Sequence, residues 1–203
     1  MAGGRGLAPA APVPAARNTA RAARVPLALA AALALGMLSV AATADARVFH
    51  ARDEALKLAF PDADRVETRD VLLTAEQHAR IEAMGKAPVE SDLVTIYVGW
   101  KDGAPFAYGL FDTHVVRTFP ETLLVVLAPD GSLRATEVLA FHEPEEYLAP
   151  PRWLAGLVGR KLDDDLQVGR GVVAVTGSTL STRAVTSAIR RAMATWAVVT
   201  GGK

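Results

Sequence analysis

The stretch that decides the fold is residues 122–141, TLLVVLAPDGSLRATEVLAF. Residues 122–128 are an almost unbroken apolar run, Pro129-Asp130-Gly131 is turn chemistry, and residues 133–141 alternate apolar and polar side chains. That order of features reads as an antiparallel hairpin. Just upstream, LVTIYVGW (93–100) is rich in β-branched and aromatic residues; the turn Lys101-Asp102-Gly103 and an extended run over 105–116 make a second hairpin. Before it, residues 65–73 read as a strand. Thr74-Ala75-Glu76-Gln77 is a capping box that opens a helix running through Met84 and stopped by Gly85. At residues 50–60 Ala55, Leu56, Ala59 and Phe60 share one helical face ahead of Pro61.

Downstream, Pro150 and Pro151 open a short helix over 152–158, and Asp163, Asp164 and Asp165 form an acidic run. The run lacks the alternating spacing and closing glutamate of an EF-hand loop, so it reads as a solvated loop. The chain closes with a strand (171–175), a turn (176–179) and a helix over 183–199. In that helix Val185, Ala188, Ile189, Ala192, Met193 and Trp196 make an apolar stripe, with Arg183, Thr186, Arg190 and Arg191 outside it. Successive strands with helices before and after them predict an α+β fold: one domain with an antiparallel sheet flanked by helices.

The 203 residues hold 22 Lys+Arg, 22 Asp+Glu and no cysteine. Without cysteine there are no disulfides, thiolate zinc sites, iron–sulfur clusters or lipidated thiols. Residues 47–203 carry 18 basic against 21 acidic side chains. This mild negative balance, with no basic cluster beyond Arg190 and Arg191, argues against nucleic acid as a partner. Residues 1–46 differ sharply, with 18 alanines, four arginines and a single acid, Asp45. Twenty uncharged residues (25–44) follow Arg17, Arg21 and Arg24 and precede Ala44-Asp45-Ala46, a small-x-small pattern. The segment is expected to act as a secretory signal peptide, or, uncleaved, as an anchor helix over 25–44. In both cases residues from Arg47 onward lie outside the cytoplasm.

Chemistry concentrates in VVAVTGSTLSTRAV (172–185). From Thr176 to Thr182 every residue but Leu180 is small or hydroxylic: Thr176, Gly177, Ser178, Thr179, Ser181 and Thr182. Set between a buried strand and a helix start, with Ser181 and Thr182 as cap candidates, these residues would turn backbone N–H groups and the positive helix end toward one anion. Arg183 would add a charge-assisted bond. The plainer alternative is helix capping alone. His50, His78, His114 and His142 are scattered without metal-ligand spacing. No Gly-x-Ser-x-Gly elbow supports a hydrolase.

Thr176-Gly177-Ser178-Thr179 and the residues after it resemble the Ser/Thr-Gly-Ala-Thr flavinylation motif of the FMN-binding domain family. That family includes exported covalent flavoproteins related to the C subunit of sodium-translocating NADH:quinone reductase and to the G subunit of the Rnf complex. Phe141-His142-Glu143-Pro144 and the surroundings of Trp153 resemble the connector ahead of that motif. The resemblance spans about residues 93–197. It implies an exported electron-transfer protein whose FMN is esterified to Thr179 by an FAD:protein FMN transferase, with a membrane-bound redox partner. It also places Thr176, Gly177, Ser178, Ser181, Thr182, Arg183, His142 and Glu143 near the cofactor, and makes Phe141, Tyr147 and Trp153 candidates to pack on the flavin ring. Two positions depart from the family pattern: Ser178 replaces the usual alanine, and Val173 stands where an aspartate is usual. The second keeps open an alternative from another class, a noncatalytic flavin- or partner-binding module without covalent FMN.

Overall fold

The computed structural model describes residues 47–48 and 51–202. The signal or anchor segment and His50 lie outside the described residues. Among the described residues no helix is long and apolar enough to cross a membrane.

The elements are β1 (Arg47–Val48), α1 (Arg52–Ala59), β2 (Arg65–Leu72), α2 (Ala75–Gly85), β3 (Leu93–Lys101), β4 (Ala104–Val115), β5 (Pro120–Leu127), β6 (Leu133–Phe141), a 3-10 turn (Glu145–Tyr147), α3 (Pro151–Ala155) and α4 (Thr179–Thr200). The strands form one antiparallel sheet in the order β1-β6-β5-β4-β3-β2. This is the expected α+β arrangement of hairpins strung edge to edge.

The apolar run in β5 has a direct cause. β5 is an interior strand covered on both faces, so alternation is lost. Leu123, Val125 and Leu127 point into the main core with Val185, Ile189, Met193 and Trp196 of α4. Leu124 and Val126 point the other way, onto Ala55, Ala59 and Phe60 of the α1 region. β2 is one edge of the sheet, and exposed Arg65 and Arg69 flank half-buried Glu67 there in an ion-paired row at 3.3 and 2.6 Å. Such charge discourages pairing with another chain.

The capping box of α2 is present, with Gln77 N–H donating to Thr74 Oγ1 (3.2 Å) and Thr74 N–H to Gln77 Oε1 (2.9 Å). Its terminator differs from expectation: Lys86, at φ +52°, takes the left-handed position, and Gly85 is the last helical residue. Gly85 serves packing instead. A Cβ there would sit 3.4 Å from the Arg190 carbonyl oxygen and the Arg191 Cα, so its small size lets α2 approach α4.

Residues 171–175, expected as a buried strand, form none. Only a single parallel bridge joins Val168 and Val172, and Val173 is exposed. The segment reaches no open sheet edge, so its backbone finds local partners instead. Val172 N–H donates to the Gln167 oxygen, the Val173 oxygen accepts from Trp153 Nε1 at 2.7 Å, and the Val175 oxygen accepts from Ser178 N–H at 3.1 Å. α3 ends at Ala155, short of Val158. α4 starts at Thr179, four residues earlier than expected, and its apolar stripe is buried as predicted.

The β5–β6 turn depends on Gly131. It adopts φ +78°, and a Cβ there would run into the Trp196 ring. Gly131→Ala should therefore destabilise the domain by about 2 kcal/mol through strain and overpacking. A lower urea midpoint at unchanged slope is the expected reading; a midpoint equal to that of the wild type would contradict it.

Candidate functional site

Residues Thr176 to Thr182 form the turn into α4. Exposed Gly177, at φ +91°, lets the chain reverse direction, and Ser178 occupies the position just before the first helical residue. The first bond of the helical ladder is Thr182 N–H to the Ser178 oxygen, 2.9 Å. Ser178 itself makes no side-chain cap, although it is only 4% exposed. Half-buried Thr179 donates its Oγ1 hydrogen to the Val175 oxygen at 3.1 Å.

Ser181 and Thr182 are not caps, because the helix has already begun. Ser181 Oγ donates to the Tyr147 oxygen and so ties the first turn of α4 to the 3-10 turn. Thr182 Oγ1 bonds back to the Thr179 oxygen at 3.0 Å. The result is a cleft of about 160 Å³ lined by Arg117, Tyr147, Gly177, Ser178, Thr179, Leu180 and Ser181. Four of the residues expected at the site thus meet, joined by Tyr147.

The others lie elsewhere. Thr176 is exposed and Thr182 buried, and neither lines the cleft. Arg183 lines a separate cleft with Lys86, Gln167 and Arg190. Phe141 is buried, and Trp153 is committed to Val173. His142 is half-buried, and its N–H donates to the Pro120 oxygen at 3.1 Å. Glu143 is a clasp: its Oε1 accepts from the N–H groups of Arg117 (3.1 Å), Thr118 (2.6 Å) and Phe119 (2.9 Å). Burial would raise its pKa, yet the three donors and the Arg117 charge outweigh that and hold the carboxyl below its usual range.

Arg117 is the cleft residue that the sequence did not disclose. It sits in the turn between β4 and β5, with its guanidinium 4.4 Å from the Tyr147 ring centroid. A lone exposed arginine before Thr118-Phe119-Pro120 gives no local signal, and Tyr147 is thirty residues away.

A second polar constellation lies between the sheet and α4. Arg191 grips Asp112 in bidentate fashion, Nε to Oδ2 at 2.7 Å and Nη2 to Oδ1 at 2.8 Å. His114 Nδ1 meets Asp112 Oδ1 at 2.9 Å, and His114 Nε2 meets Glu121 Oε2 at 3.1 Å. Burial alone would depress the His114 pKa, but the two carboxylates push it up to about 9. Asp112 is held below its usual range: burial opposes ionisation, and the bonds and charges of His114 and Arg191 overcome it. Spacing in the sequence passed over His114 because one partner, Glu121, comes from the neighbouring strand, and the other, Asp112, is itself held by Arg191 of a distant helix.

No known protein-family model matches this chain, and neither does any curated protein sequence.

Proposed function

We propose that this protein is an exported FMN-binding electron carrier, with the flavin attached through its phosphate to Thr179. The observation that carries the proposal is the convergence of Gly177, Ser178 and Thr179 at the start of a 22-residue helix, in a cleft shared with a cation, Arg117. Backbone N–H groups and the positive helix end favour a phosphate there. The hydroxyl of Ser178, a residue only 4% exposed that makes no side-chain cap, is a donor suited to a phosphate oxygen.

Attachment is a phosphoryl transfer. Thr179 Oγ1 forms a bond to the FMN phosphorus of FAD, the pyrophosphate bond breaks, AMP leaves, and the hydroxyl proton passes to solvent. An extracytoplasmic FAD:protein FMN transferase catalyses the step, and residues 1–46 supply the export address. Once bound, flavin supplies one- or two-electron redox chemistry, while the protein contributes position and electrostatics. A membrane-bound redox partner completes the relay.

Val173 favours a second reading, a flavin-binding module without the covalent bond. It is exposed and carries no carboxylate where the family has one. Intact mass, together with flavin fluorescence of the denatured protein, separates the two readings. Protein exported from a host with the transferase should gain the mass of one esterified FMN, and Thr179→Val should gain none. An unmodified wild type that binds FMN reversibly would establish the second reading.

A further inference from the structure

Resting on that reading of the cleft, we propose that Arg117 is the phosphate-recognising cation of the site, and that it makes the protein select FMN over riboflavin. Three observations converge. Ser178 is a polar side chain more than nine-tenths buried, lines the cleft, and makes no cap at the helix start. Thr182 is the first α4 residue whose N–H is bonded, to the Ser178 oxygen; among the described residues the N–H groups of Thr179, Leu180 and Ser181 have no backbone partner and are left for a ligand. Among the described residues that line this cleft, Arg117 brings the only full positive charge.

Its placement is built. Glu143 Oε1 gathers the N–H groups of Arg117, Thr118 and Phe119, so the backbone that carries the guanidinium is fixed from beneath. The Tyr147 ring supports the guanidinium from one side, and Ser181 fixes the backbone of Tyr147 to α4. Glu143 spends its carboxylate on backbone donors. Glu145 and Glu146 are exposed and do not line the cleft. At about 160 Å³ the cleft falls below the ~300–1,000 Å³ of pockets that enclose a drug-sized ligand. It therefore holds the phosphate and leaves the isoalloxazine outside, so discrimination comes from charge. Glu143 is a positioning residue; Arg117 touches the ligand.

The test uses the full chain exported from a host without the transferase, so that Thr179 is unmodified. FMN, riboflavin and inorganic phosphate are each titrated calorimetrically into wild type, Arg117→Gln and Arg117→Lys. Arg117 lies on the surface with its side chain outside the core, so both variants fold. Wild type should bind FMN at least about tenfold more tightly than riboflavin, the scale of a charge-assisted phosphate contact. Arg117→Gln should erase that preference while leaving riboflavin affinity unchanged, and Arg117→Lys should restore part of it. If Arg117→Gln keeps the wild-type preference for FMN, the role of Arg117 is overturned and the FMN reading survives. If wild type binds inorganic phosphate through Arg117 but not FMN, the assignment of Arg117 holds and the FMN reading fails. Binding of none of the three probes overturns both.

Discussion

Replacing Arg190 with alanine should cost about 3–5 kcal/mol and lower the melting temperature by roughly 10 °C. Arg190 is 4% exposed, and among the described residues its guanidinium donates hydrogen bonds to backbone oxygens alone. Nε donates to the Gly85 oxygen at 2.8 Å, Nη2 to the Met84 oxygen at 3.2 Å, and Nη1 to the Leu166 oxygen at 3.2 Å and to the Asp163 oxygen. Arg190 thus completes the last carbonyls of α2 and closes the loop that carries the acidic run, while its charge complements the negative end of the α2 dipole. Truncation strands four carbonyl acceptors, three of them on buried or half-buried residues, and opens a void between two helices. Arg190→Lys should recover less than half of the loss, because one ammonium cannot span directions that a planar fork reaches. Arg183→Ala, at an exposed position of the same helix, should stay within about 0.5 kcal/mol of wild type. Thermal denaturation of the three variants decides the matter: an Arg190→Ala midpoint no lower than that of Arg183→Ala would show that the buried cation contributes nothing.

The second large effect is a loss of stability in alkali. His114 has a folded pKa of about 9 against an unfolded value of 6.5. A raised folded pKa means that the native state binds the proton more tightly. The resulting stabilisation is therefore complete below about pH 6.5 and disappears as pH rises through 9. The shift corresponds to roughly 3 kcal/mol, and His114 is buried deeply enough for solvent to screen little of it. Deprotonation leaves Glu121, fully buried, facing a neutral imidazole; its Oε1 already lacks a hydrogen-bond partner among the described residues. Urea unfolding at several pH values should show wild-type stability falling between pH 7 and 9.5. His114→Gln should be weaker at pH 7 and nearly flat over that interval. An equal slope in both proteins would assign the alkaline loss to other groups.

Much of the fold was legible because its determinants are local. The two hairpins follow from turn residues beside β-branched runs, and the Thr74–Gln77 box from hydrogen bonds within four residues. The α4 stripe follows from helical periodicity. Where local signals misled, tertiary context had intervened. Residues 171–175 look like a strand by composition, but no sheet edge is within their reach. Ser181 and Thr182 look like caps by residue type, but the helix begins at Thr179 and their hydroxyls turn to Tyr147 and Thr179.

The candidate site divides in the same way. A glycine turn entering a helix is contiguous in sequence, so Gly177, Ser178 and Thr179 could be read directly. Arg117 and Tyr147 come from the β4–β5 turn and the connector, and folding alone brings them to the same cleft. Glu143, expected beside the cofactor, is drawn instead into a clasp on the N–H groups of that turn.

The sequence by itself determined the two hairpins and their antiparallel pairing, the capped helix after Thr74, the apolar stripe of the last helix, and its small, hydroxylic entry. Periodicity, turn chemistry and side-chain size act over a few residues. Only the tertiary structure decided which polar groups are internal. Arg190 reaches Gly85 across 105 positions, and Arg191 reaches Asp112 across 79. On the helix alone both arginines look like a solvent face. They are internal because α2, the 163–166 loop and β4 supply carbonyls and a carboxylate that offset the cost of taking a guanidinium out of water, and no local pattern records partners so distant.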